Sequence, residues 1–217
     1  MPGLRVAVLA SGGGTNLQSL LDAARDPEAG FTVVLIVSNR PTAGALERGA
    51  RAGVGTAAIR EDGNDAERLL ALLAECEADL VVLAGYLKLV PSPVVAAYAG
   101  RMLNIHPALL PAFGGPGMYG RRVHEAVLAA GARVSGPTIH VVDDHYDHGR
   151  IVAQWPVPVR PGDTPESLAA RVLDAEHLLL PAVVRAWARG AAATLSLAAP
   201  AFGPAAALPV LDNALAP

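Results

Sequence analysis

Short aliphatic runs alternate with amphipathic segments rich in alanine, leucine and arginine through the first hundred residues. Leu4–Ala10, Val33–Ser38, Thr56–Ile59, Leu80–Ala84 and Met102–Ile105 lack the polar alternation of a half-exposed strand, so they predict strands buried on both faces. Between them, apolar positions recur at helical spacing and predict helices at about Thr15–Arg25, Ala43–Ala52, Asp65–Glu77 and Ser92–Tyr98. A strand–helix–strand rhythm of this kind implies a parallel sheet.

The rhythm breaks at Pro107–Arg122, a stretch rich in glycine and proline and longer than the usual connection of about 4–6 residues; loops of that length are often functional. A helix at Val123–Ala130 and two strands, Thr138–Val142 and Ile151–Val157, are expected next. The strands are joined by the polar stretch from Asp143 to Arg150 and would extend the sheet's edge. Leu168, Val172, Ala175, Leu179 and Val183 then mark a helix over Pro165–Arg189, with Pro181 expected to kink or divide it. The expected organisation is one α/β domain over residues 1–190. An Ala/Pro-rich extension, 191–217, would pack loosely on it or trail from it, and no internal repeat is visible.

Composition narrows the class. The 217 residues are 52% hydrophobic and only 4% aromatic, so the core must be aliphatic and no broad stacking surface for bases is available. A formal charge of −3 gives no general attraction to a polyanion, which argues against nucleic acid or an anionic membrane as partner. Cys76, the single cysteine, cannot form an internal disulfide and reads as ordinary helix packing. Near the N-terminus only Val6–Ala10 is apolar, short of a signal peptide's roughly 7–15 residues. The longest apolar candidates elsewhere, Val33–Val37 and Leu80–Ala84, fall far short of the roughly 20 residues of a membrane span. The expectation is a cytoplasmic protein, monomeric or homodimeric.

Three places could carry chemistry. Ser11-Gly12-Gly13-Gly14-Thr15-Asn16 follows the first strand and opens the first helix, where glycine lets the backbone approach a ligand and unpaired N–H groups favour an anion. It matches neither the dinucleotide fingerprint nor the P-loop. Phosphate binding and a plain glycine-rich turn with Thr15 as helix cap both stay open. Asn104-Ile105-His106-Pro107 ends a predicted strand, and strand periodicity puts Asn104 and His106 on one side, at the carboxyl end where α/β sheets place ligands. A carboxamide and an imidazole there could hold an oxyanion, although a polar strand end with a satisfied histidine is the bland reading. Asp143-Asp144-His145-Tyr146-Asp147-His148 invites a metal, but in a short loop its side chains would fan out, and no metal-ligand spacing supports it. A solvated turn without metal is the expectation.

Taken together these stretches resemble the glycinamide ribonucleotide formyltransferase family over Leu4 to about Arg189. The resemblance is carried by Val8 to Gln18, Val81 to Leu89, Leu103 to Pro111 and Arg171 to His177, in that order and spacing. It implies a single-domain, Rossmann-like α/β fold, with a mostly parallel sheet, helices on both faces and an antiparallel edge. It implies Asn104, His106 and Asp147 as a catalytic trio. The formyl group would come from 10-formyltetrahydrofolate, with the amine of the ribonucleotide attacking it and no metal required. Asn104 and a protonated His106 would hold the tetrahedral oxygen, and Asp147 would raise the histidine's pKa and help move a proton to the folate nitrogen. Gly12, Gly13, Gly14, Thr15 and Asn16 would cradle the substrate phosphate, with Glu176 on the ribose or glycinamide end. Leu87, Lys88, Leu89 and Val90 would take the pterin, and backbone from Val142 and Asp143 to Asp147 would read its polar edge. Thr138 and His140 would support the site or contact substrate.

The chain departs from the pattern in places. Lys88 stands where arginine is frequent, His148-Gly149-Arg150 stands where Gly-Gly-Pro is frequent, and Arg60–Asn64 is too short to carry over a folate-tail contact. The Phe113–Gly120 insert is long and would form a mobile wall over the phosphate side. The same trio also occurs in methionyl-tRNA formyltransferase and formyltetrahydrofolate deformylase, both larger. A transferase acting on another sugar nucleotide and a binding module without catalysis are the remaining alternatives.

Overall fold

The computed structural model describes residues 3–59 and 65–190. Arg60–Asn64 and the expected extension 191–217 lie outside the described residues. Five strands are parallel: β1 (Leu4–Leu9), β2 (Phe31–Ser38), β3 (Gly55–Ala58), β4 (Leu80–Leu83) and β5 (Met102–His106). Two antiparallel strands, β7 (Thr138–Val141) and β8 (Ile151–Gln154), complete a seven-stranded sheet in the order β3-β2-β1-β4-β5-β7-β8. The strand order reverses between β1 and β4, the place where an open α/β sheet leaves a crevice at its carboxyl edge.

Helices cover both faces, as the apolar runs require. One face packs beneath α1 (Thr15–Ala23) and α6 (Pro165–Ala188), where Leu17, Leu20, Leu180 and Val183 meet Val6, Val8 and Val82. Beneath α3 (Asp65–Glu75) and α4 (Ser92–Ala97) on the other face, Leu69, Leu73 and Val94 meet Ala7, Leu9 and Val81. Each such leucine or valine, fully withdrawn from water, contributes roughly 1.5–3 kcal/mol before entropy is counted. The remaining helices are α2 (Gly44–Arg51), against β2 and β3, and α5 (Arg121–Ala129), against α6. Among the described residues no helix is long and apolar enough to cross a membrane.

Local expectations failed in four places. β3 is not buried on both faces: it is the sheet's edge and pairs only with β2, so Gly55, Thr56 and Ala58 are exposed. The run Ile151–Val157 is not one strand. Trp155 turns its N–H to the Pro137 carbonyl at 3.0 Å and Pro156 has no N–H to give, so the chain leaves the sheet. It re-pairs as β9 (Val157–Pro158) with β6 (Val134–Ser135), a short strand that the sequence pattern did not suggest. Pro181 does not divide α6, which runs unbroken from Pro165 to Ala188. Proline forfeits one bond, to the carbonyl four residues back, while buried Leu179, Leu180, Val183 and Val184 hold the turns around it. Finally, Thr15 is not a helix cap. The cap position is Gly14, left-handed at φ 74°, where an added Cβ would meet the Ala45 Cα at 2.8 Å.

The amino end of α6 is firmly set. Thr164 and Ser167 form a reciprocal capping box, and Arg171 clamps Asp163 with two bonds of 2.7 and 2.8 Å. That clamp holds the Asp163 carboxyl well below the usual carboxylate range.

Candidate active site

A cavity of about 660 Å³ opens at the carboxyl edge of the sheet, beside the strand-order reversal, in the usual size range for small-molecule sites. Its walls come from the segments after β4 and β5, from the 115–121 stretch, from the loop after β7 and from one face of α6. Ser11, buried at the end of β1, ties the ends of β1, β2 and β4 together. Its hydroxyl donates to Asn39 Oδ1 at 2.6 Å and accepts from the Leu87 N–H at 2.9 Å, while its own N–H donates to the Gly85 carbonyl. Nothing in its place beside the glycines signalled that role except its position at a strand end.

Asn104, His106 and Asp147 come together at the bottom of this cavity. Asn104 and His106, two residues apart on β5, both line it, and the Asp147 carboxylate reaches across from the loop after β7. His106 Nδ1 lies 3.4 Å from Asp147 Oδ2, and Asn104 Nδ2 donates to Asp147 Oδ1 at 3.3 Å. Asp147 adopts φ 54°, a left-handed turn that brings its side chain back toward β5. His106 Nε2 faces the Phe113 carbonyl at 2.9 Å. A carbonyl can only accept, so the proton is on Nε2 and the bare nitrogen of the neutral ring is Nδ1, facing a carboxylate.

This geometry favours a second proton, shared between Nδ1 and Asp147, but the surroundings oppose it. Burial pushes the His106 pKa down, and it stays below the ordinary value even though the Asp147 charge and the Phe113 carbonyl pull it up. Asp147 does pull the histidine's pKa up, as the resemblance implied, but desolvation of a ring that is 3% exposed outweighs that one neighbouring charge. For Asp147 the balance goes the other way. Burial raises its pKa, yet the neighbouring His140 and His106 imidazoles and the Gly115 N–H, which donates to it at 3.0 Å, bring it below the usual value.

His140 Nδ1 donates to the Val141 carbonyl at 3.0 Å, which leaves Nε2 as the acceptor of the Asn104 amide at 3.0 Å and fixes which way that carboxamide points. Thr138 does not line the cavity. Its hydroxyl donates to the Ala108 carbonyl and accepts from the Leu110 N–H, so it pins the turn after β5. The Phe113–Gly120 segment is also not confined to the phosphate side: through the Phe113 carbonyl and the Gly115 N–H it closes over His106 and Asp147 themselves.

The cavity is lined by Leu87, Lys88, Leu89, Val90, Val142 and Asp143 on one side and by Asn16 and Glu176 on the other. Glu176, 6% exposed, accepts from Asn16 Nδ2 at 2.6 Å, and burial pushes its pKa up to about 7. Gly12, Gly13 and Gly14 are not among the lining residues, and Thr15 faces a smaller pocket with Gln18, Arg48 and His177. His124, buried in the first turn of α5, is a lining residue that sequence reasoning missed; its Nδ1 has no hydrogen-bond partner, and burial together with nearby His106 lowers its pKa. Its only sequence signal was a histidine just after a glycine-rich loop.

The side chains of Asp143, His145 and His148 do not fan out as expected. One ligand atom from each lies within 4.8 Å of the others, because the His145 N–H folds back onto Asp143 Oδ1 at 2.9 Å and His148 Nδ1 meets Asp143 Oδ2 at 2.7 Å.

The sequence from residue 4 to 184 matches the formyl transferase family model. The chain belongs to the formyl transferase family. It is 48% identical over 188 residues to the chloroplastic phosphoribosylglycinamide formyltransferase of Arabidopsis thaliana, covering 84% of this chain and 64% of that protein. A Vigna unguiculata protein of the same name is spanned over 60% of its length. The phosphoribosylglycinamide formyltransferase of Escherichia coli K12 is 36% identical over 192 residues, with 86% of this chain and 88% of that protein covered. The crystal structure of glycinamide ribonucleotide transformylase 1 from Symbiobacterium toebii superposes with a TM-score of 0.80 at 39% identity, covering 87% and 89% of the two chains. This member of the family therefore has the mostly parallel, Rossmann-like sheet with an antiparallel edge that its resemblance implied.

Proposed function

We propose that this chain transfers the formyl group of 10-formyltetrahydrofolate to the amine of 5′-phosphoribosylglycinamide, a step of purine synthesis. The observation that carries the reading is the meeting of Asn104, His106 and Asp147 around one point of the cavity, with an apolar slot on one side and Asn16 and Glu176 on the other. The pterin fits the slot of Leu87, Lys88, Leu89 and Val90, with its polar edge toward Val142 and Asp143. The ribonucleotide then lies toward α1 and α6, its phosphate on the N–H groups of the Gly12–Asn16 loop and its ribose or glycinamide end on Glu176. The domain doing this is residues 1–190.

In the reaction the substrate nitrogen forms a bond to the formyl carbon, whose oxygen becomes negative. The Asn104 amide exchanges its 3.3 Å bond to Asp147 for that oxygen, and His106 Nδ1, holding the proton that Asp147 favours, is the second donor. The developing charge offsets the burial that keeps His106 low in the free site. The carbon–nitrogen bond to folate then breaks, and the proton lost by the amine passes by way of Asp147 and water to the folate nitrogen. No metal takes part in these steps. The setting is cytoplasmic.

A single assay tests the reading: the chain is mixed with 10-formyltetrahydrofolate, with and without the ribonucleotide, and tetrahydrofolate release is followed spectroscopically. Release only with the ribonucleotide is expected. Release without it would make the chain a deformylase, and no release would make it a binding module.

A further inference from the structure

We infer that Asp143, His145 and His148 form a binding site for a borderline divalent transition ion of the Zn2+ class at the rim of the cavity. Among the described residues this is the one group of three histidine, cysteine or carboxylate side chains whose ligand atoms gather within 4.8 Å. Two imidazoles and one carboxylate are the donor set that zinc and its neighbours prefer, and hard ions such as Mg2+ want more oxygen.

The carboxylate is the fixed member. Asp143 is the less exposed of the three, and its Oδ1 is held by the His145 N–H at 2.9 Å. The two rings stand over it, 5.4 Å apart between centroids and tilted by 58°. His148 Nδ1 lies 2.7 Å from Asp143 Oδ2, so the two ligand atoms already face each other across the position an ion would take. Ligand atoms around a tetrahedral ion bonded at about 2.0–2.1 Å stand roughly 3.4 Å apart. Side chains that are 76% and 73% exposed, as His145 and His148 are, can close from 4.8 Å to that spacing by small torsional shifts.

The position gives the ion a consequence. Asp143 and His145 line the cavity, and the same six-residue turn carries Asp147, whose carboxylate touches His106 and Asn104. An ion joining residues 143, 145 and 148 staples both sides of Asp147 and stiffens the turn on the side proposed for the pterin. The chemistry of formyl transfer does not use the ion.

The test is isothermal titration of ZnCl2 into the untagged full chain, with MgCl2 in parallel and with His145→Ala and His148→Ala as variants. The expected result is one zinc per chain, no Mg2+ uptake, and affinity at least about tenfold weaker in each variant. Unchanged affinity in both variants, no zinc uptake, or equal uptake of Mg2+ would each overturn the site. Thermal melting of the variants, expected to match the wild type, separates loss of ligand from loss of fold. The readout is ion binding, so it stands or falls independently of the formyl-transfer assay.

Discussion

Asn16 and Glu176, 160 residues apart in the chain, are joined by a 2.6 Å hydrogen bond that ties the first helix to the last. Because the carboxyl is buried, its pKa is pushed up from 4.5 to about 7, and that has a definite effect on stability. Below about 4.5 Glu176 is protonated whether the chain is folded or not. Between about 4.5 and about 7 the unfolded chain releases the proton while the fold retains it, so stability falls as pH rises through that window. At about 1.36 kcal/mol per unit the loss is at most about 3 kcal/mol. Glu176→Gln keeps an acceptor for Asn16 and removes the titration, so urea unfolding at pH 5 and pH 8 should show a smaller drop in the variant than in the wild type. Equal drops would mean that Glu176 folds ionised.

His106 is held by the Phe113 carbonyl on one nitrogen and faces Asp147 with the other, so its removal takes away the proposed oxyanion donor without emptying the core. His106→Ala should lower turnover by on the order of 10²–10⁴, with circular dichroism and melting close to the wild type. Near-normal turnover would remove this histidine from the chemistry.

Asp147 acts on His106 through its charge. With the carboxylate neutralised in Asp147→Asn, burial is left to push the imidazole pKa further down. If the protonated ring is the working form, the rate should begin to fall at lower pH than in the wild type. A pH–rate profile that does not move would refute the coupling.

How much of this was legible from the chain depended on the range of the interaction. Val6, Val8 and Val82 announce buried strands because burial on both faces removes every polar alternative. Asn104 and His106 could be read as neighbours because a period of two puts them on one side of β5. Asp147 could not: its place beside them depends on a left-handed turn and on the antiparallel pairing of β5 with β7, neither of which has a local signature, and only the family resemblance pointed to it. The same turn chemistry defeated the expectation for residues 143–148, because an N–H folding back on Asp143 curls a loop that composition alone would leave splayed. The bridging role of Ser11 was not legible because its partners, Asn39 and Leu87, come from distant segments, and His124 Nδ1 has no hydrogen-bond partner to mark it.

Arg48 offers the sharpest separation of binding from fold. Its Nε donates to the Gly13 carbonyl at 2.7 Å and its Nη1 to Gln18 Oε1 at 3.0 Å, while the Ala45 N–H takes the Gly12 carbonyl at 3.1 Å. In a trans peptide the N–H points opposite to the carbonyl, so drawing these two carbonyls toward α2 turns the Gly13 and Gly14 N–H groups away from it, where an anion can meet them. A hydrogen bond to a charged group contributes about 1.5–3 kcal/mol, and each 1.4 kcal/mol is tenfold in affinity. Arg48→Met should therefore raise the ribonucleotide KM by roughly tenfold or more while leaving the folate KM and the saturated rate near their wild-type values, and Arg48→Lys should recover part of the loss. A parallel rise in both KM values would show that Arg48 braces the fold in general and not the phosphate loop.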